Sequence, residues 1–342
     1  MRIFAPILLA LLALLAACGR PALYSQESFV FGTRVEVLVW GAPEVKAREA
    51  AAEVLREFDR MHRTYHPWQP SEMTALNDVL LAGQPHEVTP EFAAYILDAR
   101  NFSAQSEYLF DPGIGRLIEL WGFHDDTFKP SLPDPAKLAA LIAAHPSIRE
   151  IEVAGTKVSL RGQPDGAVAL DFGGYLKGVA LDRAAAILRR HGIANALINI
   201  GGNVMALGSK GETPWRVGIQ HPRLAGPLAT LELRDGEAIG TSGDYQRYFD
   251  LDGKRYCHLI DPRTGWPSGG TQAVTVLIPS GFGGGKAGMW SDAASKPLFI
   301  GGQDWRRLAD QLGLTQALRV DADGRIEMTD AMRARVKLES TP

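Results

Sequence analysis

The chain has 342 residues, 46% of them hydrophobic and 22% charged, and it carries a formal net charge of −3. Such a composition is typical of a globular protein with one large domain or two modest ones. The near-neutral charge excludes the strongly basic surface that nucleic-acid-binding proteins need, so we expect no nucleic-acid partner.

The N-terminus predicts a lipoprotein signal peptide over residues 1–17. Arg2 precedes a run of small and aliphatic residues that is too short for an ordinary membrane span but typical of a secretory signal. The run ends in the letters LAAC, which resemble a bacterial lipobox, so cleavage would leave Cys18 as a lipidated N-terminal residue. A plain signal peptide or a short anchor is the alternative.

The two cysteines predict where the protein is located in the cell and whether a disulfide stabilises it. With Cys18 lipidated, we expect an exported protein that is anchored to a bacterial membrane and faces the periplasm. Gly19 stands where an aspartate would signal retention in the inner membrane, which favours the outer membrane. Cys257 is then left without a partner, so no intramolecular disulfide is expected.

The first half of the folded domain, which we place at residues 24–338, begins with a strand. Residues 28–41 alternate between apolar and polar positions and predict a single strand. The residues predicted to share its apolar face are Phe29, Phe31, Val35, Val37 and Val39.

Helices in this half are marked by apolar spacing and by caps. Residues 44–66 have the apolar spacing of an amphipathic helix. Two further helices begin where an N-cap residue is followed by a proline at the first helical position. These pairs are Thr89-Pro90 and Asp134-Pro135.

The second half carries the clearest patterns. Residues 171–192 predict a helix that is entered through Gly173-Gly174 and ended by Gly192. Residues 195–208 predict a buried strand that runs into Gly201-Gly202. Hairpins follow, with tight turns predicted at Asp235-Gly236, Asp252-Gly253 and Asp323-Gly324. Strands and helices are partly segregated, which favours an α+β fold with antiparallel sheets and packed helices over a doubly wound sheet.

Two glycine pairs could bring a ligand close to the backbone. The letters DFGG, residues 171–174, open the predicted helix, where free N–H groups can hold phosphate oxygens. The letters NIGGN, residues 199–203, stand at a strand end, where glycines admit a ligand or another backbone. The structural alternatives are a tight turn for the first pair and a bulge or tight packing for the second.

A predicted hairpin returns several titratable residues toward each other. Asp244 precedes it in TSGDYQRYF, and His258 and Asp261 follow it in HLIDPRTG. Because a hairpin folds the chain back on itself, these polar side chains could converge. A structural role is the alternative for each of them, and Asp261 before Pro262 is a natural turn former.

The letters SDAASK place three reactive side chains at helical spacing. Asp292, Ser295 and Lys296 would share one face of a helix, although Pro297 argues against helical geometry at Lys296. A carboxylate and a hydroxyl are a partial set of oxygen ligands for Mg²⁺, which takes its other ligands from phosphate and water. The alternative is a capping aspartate beside a solvated serine and lysine.

Together these segments resemble the successive signature blocks of the ApbE family, the FAD:protein FMN transferases. In chain order the blocks are DFGGYLKGVALDRA, LINIGGNV, TSGDYQRYF, HLIDPRTGWP and SDAASKPLF. FGTRVEV, FDRMHRTYHPWQPSEMTALN and LFDPGIGRLIELWGF resemble the N-terminal blocks, so the likeness covers nearly all of the chain after the signal. It implies an enzyme that takes FAD and Mg²⁺, joins FMN to a threonine or serine hydroxyl of an acceptor redox protein, and releases AMP.

The resemblance also implies ligands and contacts. The metal would be held by the backbone oxygen of Gly174 and by the side chains of Asp292 and Ser295. Lys296 stands where the family usually has threonine, and it is a doubtful ligand, because an ammonium group repels a divalent ion unless it turns toward a phosphate oxygen. The implied FAD contacts are Phe31, Trp68, Leu109, Phe110, Asp111, Asp171, Lys177 and Ile260.

Transfer of FMN to a hydroxyl requires a proton acceptor. We expect His258 to fill this role, because an imidazole can accept a proton near neutral pH. Asp244 is the alternative, either as the acceptor or as the residue that orients the hydroxyl.

Other functions are compatible with the same motifs. A lipid-anchored protein could bind FAD without transferring FMN, and the lysine at position 296 favours that alternative. A pyrophosphatase could split FAD into FMN and AMP, with water as the nucleophile. A plain solute-binding lipoprotein would leave the ordered motifs unexplained.

Overall fold

The computed structural model describes residues 22–125, 127, 129–161 and 166–339. The predicted signal peptide, residues 1–17, and the predicted lipidation site Cys18 lie outside these ranges. No helix within these ranges combines the length and the hydropathy that a membrane span requires.

An eight-stranded sheet forms the centre of the fold, and all of its neighbouring strands are antiparallel. With strands numbered along the chain, its spatial order is β1 (Leu23–Val30), β2 (Thr33–Trp40), β6 (Ala196–Ile200), β7 (Asn203–Leu207), β10 (Ala238–Gly243), β15 (Thr271–Ile278), β16 (Ala317–Asp321) and β17 (Ile326–Met328).

The other strands form small antiparallel sheets. One contains β3 (His86–Glu87), β5 (Lys157–Leu160) and β4 (Ile151–Ala154), and another contains β18 (Val336–Leu338), β9 (Pro227–Leu233) and β8 (Trp215–Gln220). Two hairpins pair β11 (Tyr248–Leu251) with β12 (Lys254–Cys257) and β13 (Ile260–Asp261) with β14 (Trp266–Pro267).

Helices complete an α+β fold, as the sequence predicts. They are α1 (Glu44–Thr64), α2 (Glu72–Leu81), α3 (Pro90–Gln105), α4 (Gly115–Leu120), α5 (Pro135–Ala144), α6 (Leu176–Arg190), α7 (Phe282–Gly285), α8 (Ala287–Gly301), α9 (Trp305–Gln311) and α10 (Asp330–Arg333).

The predicted helix starts are confirmed by their hydrogen bonds. The Thr89 side chain accepts from the Phe92 N–H at 3.3 Å, and Pro90 is the first residue of α3. The Asp134 carboxylate accepts from two N–H groups at the start of α5, at 2.8 and 3.0 Å. Each cap satisfies backbone donors that have no partner inside the helix.

The central sheet is covered on both faces. One face packs against α1, α6 and α8 in the largest apolar cluster. The other face packs against the β18-β9-β8 sheet through a second cluster that includes Trp215, Leu231 and Leu277. A third cluster, around Trp121 and Phe249, joins α4 and α5 to the β11–β12 hairpin.

Helix α8 lies between α6 and the sheet, and all of its residues except Lys296 and Gly301 are buried. It continues through Pro297, so the expectation that Pro297 would oppose helical geometry at Lys296 is wrong. An interior proline costs about 3 kcal/mol. The fully buried Leu298 and Phe299 that follow it each contribute about 1.5–3 kcal/mol, which offsets that cost.

The predicted strand over residues 28–41 is wrong, because the chain reverses at Phe31-Gly32 and forms the β1–β2 hairpin. Both turn residues have positive φ, 58° and 68°, as tight hairpin turns require. A bulky residue rarely adopts this conformation, so the sequence pattern does not reveal the turn. Phe29 is consequently 74% exposed, whereas the predicted inward-facing residues Val35, Val37 and Val39 are buried.

The predicted glycine turns fall into two groups. Asp252-Gly253 and Asp323-Gly324 join paired strands, as predicted. Asp235-Gly236 instead leads from β9 to β10, which belong to different sheets, so the hairpin predicted there is wrong. Gly201-Gly202 is the tight turn between β6 and β7, so the strand predicted to run into this pair ends there, and the residues that follow form the returning strand of a hairpin.

Candidate active site

A cleft of about 670 Å³ collects residues from distant parts of the chain. Its volume lies within the range of small-molecule sites. The predicted site residues that line it are Phe31, Trp68, Leu109, Phe110, Asp111, Asp171, Gly174, Lys177, His258, Ile260, Asp292 and Lys296. Of the predicted site residues that the structure describes, Asp244 and Ser295 do not line it.

Two glycines allow α6 and α8 to cross at close range. A Cβ on Gly178 would lie 2.4 Å from the carbonyl oxygen of Gly288 and 2.7 Å from the Asp292 Cβ. This approach lets the Gly178 N–H donate to Asp292 Oδ2 at 3.0 Å. Asp182 of α6 accepts from the N–H groups of Gly288 and Met289, at 2.7 and 2.8 Å. The crossing therefore holds Asp292 in the wall of the cleft.

The DFGG turn and the SDAASK segment meet at this crossing. A Cβ on Gly174 would lie 3.2 Å from the Lys296 Cε and 3.5 Å from the Phe110 ring. Asp171 accepts from the Gly173 N–H at 2.7 Å, which shapes the turn, and burial raises the pKa of Asp171. The two motifs that the sequence separates by more than a hundred residues thus form one wall.

Lys296 neutralises Asp292 inside this wall. Its Nζ donates to Asp292 Oδ1 and, at 2.7 Å, to the Asp292 carbonyl oxygen. The Asp292 side chain is fully buried, and 13% of the Lys296 side chain is exposed. Burial acts to raise the pKa of Asp292, but the charges of Lys177 and Lys296 hold it at about 2. Burial lowers the pKa of Lys296, and Asp292 opposes that shift.

The predicted Mg²⁺ ligands do not fit a divalent ion in this arrangement. Both carboxylate oxygens of Asp292 already accept hydrogen bonds, from the Gly178 N–H and from Lys296. Ser295 Oγ donates to the Asp292 carbonyl oxygen at 2.8 Å and lies 2.7 Å from Ser242 Oγ. Across the part of the chain that the structure describes, no three acidic, histidine or cysteine side chains form a metal-binding group. A divalent ion at Asp292 would have to displace the ammonium group.

Aromatic and imidazole rings line another side of the cleft. The Phe31 and His62 ring centroids are 5.7 Å apart, His62 and His66 are 4.9 Å apart, and His66 and Trp68 are 4.9 Å apart. The Arg247 guanidinium lies 5.5 Å from the Trp68 ring. This row of rings, the aromatic wall, offers flat apolar surface beside a cation.

His258 lines the cleft as a neutral imidazole of defined tautomer. Its Nδ1 lies 3.1 Å from the carbonyl oxygen of Arg247, which also accepts from the His258 backbone N–H at 3.0 Å. Because a carbonyl oxygen only accepts, Nδ1 carries the proton and Nε2 keeps its lone pair. Burial and the charge of Arg247 lower the pKa of His258 to about 3.

Predicted acidic residues are engaged in structural contacts. Asp244 accepts two hydrogen bonds from Arg223, both at 2.7 Å, so its carboxylate is held in an ion pair. Asp261 pairs with the Arg263 that follows it and accepts turn hydrogen bonds, which confirms its predicted turn-forming role. Asp111 accepts from two backbone N–H groups at 2.8 Å, and burial raises its pKa to about 6.

The sequence reasoning missed His62, His66 and Arg247, which all line the cleft. His62 and His66 are four residues apart at the end of a predicted helix, a spacing that places side chains on one face. Arg247 lies in the TSGDYQRYF segment, three residues after Asp244. The histidine spacing and the position of the arginine are visible in the sequence, but neither feature indicates which ligand these side chains would contact.

Comparison with known proteins identifies this architecture. The ApbE family model matches residues 31–318. An FAD:protein FMN transferase of Rhodobacter capsulatus is 43% identical over 92% of this chain, which spans 58% of that relative's length. One from Klebsiella pneumoniae is 30% identical over 73% of this chain and 72% of its own.

Solved structures agree with the sequence relatives. The crystal structure of the ApbE protein from Thermotoga maritima has a TM-score of 0.82, with 29% identity, and covers 92% of this chain and 99% of its own. The apo flavinyl transferase ApbE of Pseudomonas stutzeri has a TM-score of 0.76, with 25% identity, and covers 93% and 98%. The fold, the cleft and the extent of these matches lead to one conclusion: the chain belongs to the ApbE family.

Proposed function

We propose that this protein transfers the FMN moiety of FAD to a threonine or serine hydroxyl of an acceptor redox protein and releases AMP. The convergence of the DFGG turn, helix α8 and His258 on one cleft is the observation that carries the proposal. The names of the relatives in Rhodobacter capsulatus and Klebsiella pneumoniae support it.

The reaction is a substitution at phosphorus. The acceptor oxygen forms a bond to the FMN-side phosphorus, and the bond from that phosphorus to the bridging oxygen breaks. AMP leaves with the bridging oxygen, and the hydroxyl proton passes to a base. Such a transfer needs in-line positioning and neutralisation of the phosphate charge.

The cleft offers a complementary surface for each part of a dinucleotide. The aromatic wall can stack a flavin or adenine ring. Lys177 and Arg247 line the cleft and supply positive charge for the diphosphate. Gly173 and Gly174 of the DFGG turn line the cleft at the start of α6, and we propose that the diphosphate lies beside this turn.

His258 is the base in this proposal. Its Nε2 holds the free lone pair, because Nδ1–H is held by the Arg247 carbonyl oxygen. A low pKa makes the imidazole a weak base, so we propose that it accepts the proton as the oxygen–phosphorus bond forms. Asp244 is paired with Arg223 and is not needed for this step.

The divalent ion implied by the family would supply charge neutralisation at the diphosphate when bound. Gly174, Asp292 and Ser295 are the ligands that the resemblance implies, but their donor set does not fit a divalent ion while Lys296 holds Asp292. The mechanism proposed here therefore uses only the residues of the chain.

We further propose that the protein is exported and acts from a lipid anchor on the periplasmic side of a bacterial membrane. The LAAC letters that end at Cys18 support this placement. The acceptor would then have to present its hydroxyl on the same side of the membrane.

Product analysis after incubation with FAD and a purified candidate acceptor tests the proposed reaction. Transfer predicts AMP and covalently bound flavin in equal amounts, with little free FMN. A pyrophosphatase would instead produce free FMN and AMP without flavin on the acceptor. A protein that only binds FAD would return it unchanged. The matched control replaces the acceptor threonine or serine with alanine.

A further inference from the structure

The buried pair of Asp292 and Lys296 occupies the part of the cleft wall where the family resemblance implies a metal ion. We infer that the Lys296 ammonium is the resident cation of this site and binds a diphosphate oxygen of the dinucleotide, with no divalent ion ligated by Asp292. This inference rests on the proposed FAD binding, and it replaces the predicted protein-bound Mg²⁺.

The first argument is that the side-chain oxygens of Asp292 and Ser295 are already engaged in hydrogen bonds. Mg²⁺ requires near-octahedral coordination by about six oxygens at roughly 2.0–2.1 Å. Asp292 Oδ2 accepts from the Gly178 N–H at 3.0 Å, and Oδ1 accepts from Lys296. Ser295 Oγ is occupied by the Asp292 carbonyl oxygen and by Ser242. A metal ion would have to break several of these contacts at once.

The second argument is the position of the lysine stem. The Lys296 Cε and Cδ lie 3.2 and 3.7 Å from the place that a Cβ on Gly174 would take. The stem therefore fills the gap between the DFGG turn and α8. Because Asp292 is fully buried, withdrawal of Lys296 would leave a buried charge without its partner, which is strongly unfavourable.

The third argument is the number of N–H donors on the Lys296 ammonium group. An ammonium group has three N–H donors. Within the described residues, both of the hydrogen bonds that the Lys296 Nζ donates go to Asp292. One N–H remains for a phosphate oxygen, and Lys296 lines the cleft. Asp292 thus orients the cation, and Lys177 adds a second ammonium group at the same wall.

Metal binding to the unmodified protein gives a direct test. Metal-free protein would be titrated with Mn²⁺ and followed by electron paramagnetic resonance, with Asp292→Asn as the matched variant. We expect the two proteins to bind Mn²⁺ equally, because Asp292 is not a ligand. One Mn²⁺ per chain that is lost in Asp292→Asn would overturn the inference.

Removal of the lysine charge gives a second test. FAD binding would be followed by flavin fluorescence in the presence of EDTA, for wild type, Lys296→Met and the control Lys337→Met. Lys337 is exposed on β18 and does not line the cleft. A hydrogen bond to a charged group is worth about 1.5–3 kcal/mol, so Lys296→Met should bind FAD about 10- to 150-fold more weakly.

The outcomes separate this inference from the proposed function. If the wild-type protein binds FAD in EDTA and Lys296→Met binds it equally well, the inference is wrong and the proposed function stands. If the wild-type protein binds FAD only when a divalent ion is added, the inference is also wrong. If it binds FAD under neither condition, the proposed function fails. Circular dichroism of Lys296→Met checks that the variant is folded.

Discussion

At the scale of single residues, His258 has the clearest predicted role. We expect His258→Ala to lower the rate of FMN transfer by about 10²–10⁴-fold, which is the usual contribution of a general base. Binding of FAD should be retained, because the aromatic wall and the cationic side chains remain. Single-turnover transfer and FAD titration measure the two effects, and transfer at the wild-type rate would remove His258 from the mechanism.

The low pKa of His258 predicts a particular pH dependence. Its folded-state pKa of about 3 lies below the ordinary value of 6.5, so the neutral form, which is the base, persists as the pH falls. We expect no decrease in the transfer rate due to His258 between pH 8 and pH 5. A decrease centred near pH 6.5 in the wild-type protein, with unchanged FAD binding, would contradict this prediction.

The sequence predicted which residues line the cleft better than it predicted the hydrogen-bond partners of those residues. Residues named for the resemblance, such as Trp68 and Lys177, do line the cleft. Asp244 and Ser295 do not, and their hydrogen-bonding atoms contact Arg223, Ser242 and a backbone carbonyl instead. Such pairings depend on contacts between segments far apart in the chain, which spacing alone does not report.

At the scale of secondary-structure elements, the α6–α8 crossing positions Asp292. We expect Gly178→Ala to lower the free energy of unfolding by about 1–3 kcal/mol, because the added Cβ would meet the Gly288 carbonyl oxygen at 2.4 Å. Thermal or urea unfolding measures this change, and FMN transfer should also fall as Asp292 is displaced.

Gly269→Ala is the matched control for this substitution. A Cβ at Gly269 would meet no heavy atom within 4 Å, and its φ is not in the left-handed region. The control should keep both stability and transfer close to wild type. Equal stability of Gly178→Ala and wild type would show that the helices do not depend on the glycine contact.

Sequence patterns predicted the helix ends correctly where interactions between neighbouring residues determine them. The caps at Thr89 and Asp134 formed as predicted, because a side chain there satisfies backbone donors directly. The turn at Phe31-Gly32 and the passage of α8 through Pro297 were missed. In both places tertiary packing outweighs the local preference of the residue.

At the scale of the whole molecule, the antiparallel sheet brings remote motifs together. Gly178 and Asp292 are hydrogen-bonded across 114 residues of sequence. The pattern of strands and helices in the sequence predicted the α+β class. That the DFGG and SDAASK segments share one site followed only from the family resemblance. The strand order, which places β10 between β7 and β15, could not be read from the sequence.

Cys257 lies in the interior of the fold and not at its surface. It is the free cysteine of the described residues and is buried, and burial raises the pKa of its thiol to about 12. The thiol therefore stays protonated and unreactive at neutral pH. Packing in the apolar clusters on both faces of the sheet therefore stabilises the described part of the chain without a disulfide.

The intact mass of a candidate acceptor, measured after incubation with FAD and this protein, tests the central claim most directly. The account predicts a gain of one FMN moiety, accompanied by one AMP and absent when the acceptor hydroxyl is replaced. An acceptor of unchanged mass would contradict it, provided that the wild-type protein binds FAD in the sample and that a known FAD:protein FMN transferase flavinylates the same acceptor.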